Sequence, residues 1–115
     1  MTATKHNIIV ESGATFNLTL LWKDDQGDPI DLTGCTGRMQ IRQKVDSDEY
    51  YVSLTTEDDT IVLGGVDGTV SIKIPSTETE KVLTSGVYDL EIVLSNNDVT
   101  RLLYGNVELR KNVTR

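Results

Sequence analysis

Apolar residues in this chain recur at every second position, in runs too short for a helix, and each run is closed by glycine, asparagine, aspartate or proline. Side chains of an extended strand alternate between its two faces, so a period of two predicts strands with one face turned to a core. Phe16, Leu18, Leu20 and Trp22 share one face, with Thr15, Asn17 and Thr19 on the other. Gly37, Met39 and Ile41 oppose Arg38, Gln40 and Arg42, and Val70, Ile72 and Ile74 oppose Ser71 and Lys73. Tyr88, Leu90, Ile92 and Leu94 oppose Asp89 and Glu91. Further strands are expected over 50–55, 61–63 and 99–109, the last with a bulge or bend at Gly105.

The punctuation has its own chemistry. In the stretch 23–29, Gly27 can take positive φ, and Pro29 fixes its own φ and ends pairing. Asn96 and Asn97 tolerate left-handed backbone and mark a tight hairpin over 95–98. One short helical turn is expected near residues 76–83, with Ser76 or Thr77 as cap and Glu80 closing a capping box on Thr77. Val82 and Leu83 would then plug the core. About seven or eight strands with no strand–helix–strand alternation predict an all-β, two-layer antiparallel β-sandwich. A chain of 115 residues suits one domain. The expected division is an N-terminal arm or edge strand at 1–10, a sandwich at 11–110 and a C-terminal tail at 111–115.

Little is left over for chemistry. Nucleophilic and acid–base catalysis need a group paired within hydrogen-bond reach. The single histidine, His6, sits in the N-terminal segment and is expected to be an exposed polar residue. The single cysteine, Cys35, excludes an internal disulfide and is expected to be a small, partly buried apolar residue. A reactive thiol needs a depressed pKa and a cationic neighbour, and only Arg38 is near in sequence. One histidine and one cysteine do not make a zinc site. Asp24, Asp25 and Asp28, and again Glu57, Asp58 and Asp59, are acidic clusters whose spacing does not match an EF-hand loop; solvated turns are expected. The run Gly64-Gly65-Val66-Asp67-Gly68 lacks the lysine and helix of a phosphate cradle. Trp22 is expected in the core, and Tyr50, Tyr51, Tyr88 and Tyr104 are too dispersed for a base-stacking platform. No catalytic residue, cofactor or metal ligand is therefore assigned, and the chain is expected not to be an enzyme.

The net charge of −7 argues against nucleic-acid phosphate and anionic lipid as partners. No apolar run reaches the ~18–20 residues that span a bilayer. The N-terminus lacks an apolar signal region, so synthesis in the cytoplasm without export is expected.

One string is distinctive: the strand from Phe16 to Leu20, then Asp24-Asp25-Gln26-Gly27-Asp28-Pro29-Ile30-Asp31-Leu32-Thr33-Gly34, then Met39-Gln40-Ile41-Arg42. Later come Gly86-Val87-Tyr88-Asp89-Leu90-Glu91-Ile92 and the run from Val99 to Val107. Over roughly 14–109 the chain resembles the immunoglobulin-like β-sandwich domains of tailed-bacteriophage virion proteins, above all the N-terminal domain of upper baseplate proteins. The resemblance implies an immunoglobulin-like sandwich with no catalytic residues, acting as an adaptor or attachment module of the tail, neck or fibre region. Its partners would be other virion proteins, met in multiple symmetric copies, and its location the virion. A capsid decoration (cement) protein is the alternative, and a carbohydrate-binding β-sandwich module a further one. The chain departs from the baseplate pattern in ending just after the sandwich. Edge strands, end loops and both termini would then carry the docking, with the segments 1–10 and 111–115 lying across a neighbour.

Overall fold

In the computed structural model the described residues are 3–113. They form nine strands: β1 (Thr4–Lys5), β2 (Ile8–Glu11), β3 (Phe16–Leu21), β4 (Thr36–Arg42), β5 (Val52–Thr55), β6 (Ile61–Leu63), β7 (Thr69–Ile74), β8 (Gly86–Val93) and β9 (Val99–Arg110). A 3-10 turn at Gly65–Asp67 precedes β7, and a single helical turn, α1 (Ser76–Thr79), follows it. The six-stranded sheet runs β1-β9-β8-β4-β5, with β2 also on β9, and the three-stranded sheet runs β3-β7-β6. The chain changes sheet between β2 and β3, between β3 and β4, between β5 and β6, and between β7 and β8. These crossings and this strand order are those of an immunoglobulin-like sandwich.

The period of two places the core where it was expected. Val70, Ile72 and Ile74 of β7 face Met39 and Ile41 of β4 and Leu90 and Ile92 of β8, all buried. Leu32, on the connection into β4, and Val82, after α1, close the ends of the core. Trp22 is buried in the same cluster. At Gly68, φ is +72° and a Cβ would lie 2.6 Å from the Trp22 carbonyl oxygen, so the turn into β7 accepts only glycine without rearrangement.

Four features differ from the sequence reading. First, β1 and β2 pair parallel with β9, in one register from Thr4↔Leu103 to Glu11↔Arg110, so the sandwich is not wholly antiparallel. Residues 4–11 are thus spent on their own sheet; the expected reach of 1–10 across a neighbour falls partly on Met1 and Thr2, outside the described residues, as Thr114 and Arg115 of the tail also are. Second, the shift in the β8–β9 ladder falls between Leu90 and Glu91, where Leu102 of β9 is the extra residue. Leu102 and Leu103 are both buried because the bulge switches which positions of β9 face inward. Gly105 instead marks a close approach of backbone to backbone: a Cβ there would sit 2.8 Å from the His6 carbonyl carbon and nearer still to its oxygen.

Third, α1 is capped by Pro75 with no side-chain cap bond, so neither Ser76 nor Thr77 caps it. The polar clasp of this turn is Thr79, fully buried, whose Oγ1 donates to the Ala14 carbonyl at 3.0 Å and accepts the Gly13 N–H at 3.1 Å. Leu83, expected in the core, is exposed; Val82 alone fills that place. Fourth, β5 begins at Val52, because Tyr50 and Tyr51 belong to the preceding loop.

Candidate functional site

The residues singled out for chemistry do not converge. His6 has an exposed side chain, and its backbone does the structural work: its N–H donates to the Tyr104 carbonyl at 2.8 Å, and its carbonyl accepts the Tyr88 hydroxyl at 2.5 Å. Burial pushes the Tyr88 phenol up to about 12. Cys35 is half-buried against the core. Arg38, its possible activator, reaches the other way and pairs with Glu91 at 2.8 Å.

Both acidic clusters serve turns. Asp24 Oδ1 accepts the Gln26 and Asp28 N–H groups at 3.0 and 2.9 Å, closing the loop that ends at the Lys23↔Pro29 bridge. The Asp58 carboxylate accepts the Thr60 N–H at 3.0 Å and its hydroxyl. Its slight burial raises the pKa, but hydrogen bonds from Thr60 and Thr55 outweigh this and hold it below the usual carboxylate value. Among the described residues no group of three or more His, Cys, Asp or Glu side chains is placed to hold a metal ion. No helix of the described residues is long and apolar enough to cross a membrane. The Gly64–Gly68 run forms the 3-10 turn, where Gly65 accepts the Leu32 N–H at 2.8 Å and Asp67 caps Thr69 at 3.0 Å.

Two surfaces remain that are more than turn chemistry. The first is a groove of about 470 Å³ on the outer face of the six-stranded sheet. It is built by the alternation itself: outward residues of β4, β8 and β9, with Lys5 from β1, line it. Arg42 and Arg101 stand with Lys5 against Asp89 and Glu91, and Val45, Val87 and Tyr104 supply apolar surface. Arg101 Nε lies 3.5 Å from Asp89. Arg42 spends its guanidinium hydrogen bonds on neutral acceptors, the Ser47 carbonyl at 2.7 Å and Gln40 Oε1 at 2.8 Å, with the Tyr50 ring 6.0 Å away, and reaches Asp89 only through the longer-range field. Desolvation and the neighbouring Glu91 raise the Asp89 carboxyl, against the pull of Arg101, Arg38 and Arg42. Three cations against two carboxylates make this groove locally positive on a chain of net charge −7.

The second surface is the set of open sheet edges. β5 and the β1–β2 line bound the large sheet, and β3 and β6 bound the small one. The groove was not foreseen in the sequence. Its residues are scattered over four strands, and only the pairing of β4, β8 and β9 brings Arg42, Asp89 and Arg101 to one face.

No family model matches the chain, and no curated protein matches it. Among solved structures, the extracellular domain of the voltage-gated sodium channel beta4 subunit, described as a parallel homodimer with a role in cell–cell adhesion, is 11% identical with a TM-score of 0.46. The match covers 96% of this chain and 96% of that one. A second structure, from a photo-crosslinking study of multimeric cell-adhesive interactions of sodium channel beta subunits, is 12% identical, also with a TM-score of 0.46. It covers 94% of this chain and 92% of that one. At that degree of likeness neither partner nor activity transfers.

Proposed function

We propose that this protein is a non-enzymatic structural module of a tailed-bacteriophage virion, attaching components of the tail, neck or fibre region to one another. The resemblance of the Asp24–Gly34 turn and its flanking strands to phage sandwich domains supplies the setting. The observation that carries docking is the groove on the large sheet. A face that mixes Tyr104, Val45 and Val87 with partly uncompensated arginine has the aromatic and arginine character of protein interfaces. Its local positive charge selects an acidic segment of a neighbouring virion protein as occupant. Repetition of the module around a symmetric particle multiplies a modest single contact into firm attachment.

The test is incorporation. Particles assembled with the double variant Lys5→Glu and Arg101→Glu are expected to lose the protein, while its circular dichroism stays unchanged. Normal incorporation of that variant overturns the docking face. Copy number then separates the two structural settings: a low symmetric multiple fits the tail region, whereas hundreds of copies fit capsid decoration and overturn the tail reading.

A further inference from the structure

We propose that β3 is a self-pairing edge, and that two copies of the chain join through it across a two-fold axis into one continuous six-stranded sheet. Native sheets protect their edges with short strands, charge, proline, bulges or side chains that occupy the outward backbone groups. The other open edges carry such protection. β5 has four residues, and its Thr55 N–H is taken by Thr60 Oγ1 at 3.1 Å. β6 has three residues. β2 ends at Glu11, whose carbonyl accepts the Ala14 N–H at 3.1 Å, and its line with β1 is broken at His6 and Asn7.

β3 has none of this. It is six residues of sequence Phe-Asn-Leu-Thr-Leu-Leu, without charge, proline or bulge. The ladder to β7 continues through the Trp22 N–H to the Gly68 carbonyl at 2.9 Å, so the even-numbered residues bond to β7. Asn17, Thr19 and Leu21 therefore turn their N–H and C=O groups outward. The core is also unfinished along this line. Phe16, Leu18 and Leu20 point inward yet stay half-buried, while their β7 partners Ile74, Ile72 and Val70 are at most 2% exposed.

The strand fits a second copy of itself. Antiparallel pairing centred on Thr19 sets Thr19 against Thr19 and Asn17 against Leu21, with Leu18 against Leu20 on the inner side. All three outward residues of each strand then pair, giving about six N–H···O bonds. A threonine pair directly opposed is favourable. No carboxylate meets another, which matters for a chain of net charge −7 that repels its copies elsewhere. Around the strand, the outer face of the small sheet is equally low in charge: Thr69, Ser71 and Val62 lie beside Asn17, Thr19 and Leu21, with Lys73 as the ionised group. Charge depletion of this kind marks the buried part of an interface.

The inference stands on the strand and not on the virion setting, and a failure of one leaves the other intact. Sedimentation of the purified full chain is expected to show a concentration-dependent dimer. Thr19→Lys, on an exposed side chain, is expected to weaken dimerisation at least ~tenfold, about 1.4 kcal/mol, with unchanged thermal unfolding of the monomer. Register is read by cysteine: in a Cys35→Ser background, Thr19→Cys is expected to cross-link two copies under mild oxidation, and Asn17→Cys is not. A chain that stays monomeric at all concentrations, a dimer indifferent to Thr19→Lys, or equal cross-linking at both positions overturns the proposal. Pairing of β3 with a strand of a different protein, seen as protection of the Thr19 amide only in the presence of that protein, overturns it too.

Discussion

Gly105→Ala adds a single methyl where the backbone of the N-terminal segment passes close over β9. The added methyl has no space of its own, since it would fall 2.8 Å from the His6 carbonyl carbon and 3.0 Å from Asn7 Oδ1. Both obstacles belong to the N-terminal segment, which must lift off β9 between β1 and β2. Three hydrogen bonds go with it: His6 N–H to the Tyr104 carbonyl, Tyr88 hydroxyl to the His6 carbonyl, and Asn106 N–H to Asn7 Oδ1. At roughly 1 kcal/mol each, plus ~1–3 kcal/mol for leaving the buried Tyr88 hydroxyl without a partner, the expected loss is about 4–6 kcal/mol. β2 is expected to hold, because Ile8 and Val10 are core residues. Urea denaturation measures the total, and hydrogen exchange of the Asn106 amide reports the local release. The control is Gly27→Ala, where φ is +85° but no atom lies within 4 Å, so only the left-handed penalty of about 1–2 kcal/mol applies. A Gly105→Ala loss no larger than that of Gly27→Ala, with Asn106 still protected, would refute the close-approach argument.

Three further outcomes follow from the same contacts. The Tyr88 phenol ionises at about 12 in the folded chain against 10.0 in a free tyrosine; a raised acid stabilises the fold fully below pH 10 and loses that contribution as pH climbs toward 12, so alkaline unfolding curves of wild type and Tyr88→Phe should converge there. Thr79→Val keeps the volume but strands the Gly13 N–H and the Ala14 carbonyl, and should cost about 2–3 kcal/mol by denaturant titration. Arg101→Ala should raise the already elevated Asp89 carboxyl further, followed by side-chain NMR, because Arg101 heads the interactions that hold it down; the folded chain then favours the protonated form more, a contribution present at low pH and lost as pH rises.

Much of the sandwich was legible because a strand's burial pattern is local. Val70, Ile72 and Ile74 announce their face without reference to any partner. What was hidden depends on partners distant in sequence. The parallel seat of β1 and β2 on β9 joins residues about a hundred positions apart, and the bulge at Leu102 is invisible because Leu102 and Leu103 are both apolar. Gly105 drew notice for the right chemistry and the wrong reason: its missing side chain makes room for His6 rather than for a bend. Thr79 looked like one more polar residue of a helical turn, since nothing local shows that Gly13 and Ala14 will cover it. The groove was concealed for the same reason as the parallel strands. The β3 edge was half-visible: its composition lay open in Asn17, Thr19 and Leu21, but only the strand order reveals that no strand of the described residues pairs with its outer side.

The proposed docking of this molecule to protein in a virion is open to direct inspection. A residue-resolution image of the assembled particle tests it most directly. Density for the sandwich is expected at a tail, neck or fibre junction, with the groove around Arg101 and Tyr104 covered by an acidic segment of a neighbour. A particle that lacks the chain, or holds it with that face bare to solvent, contradicts it.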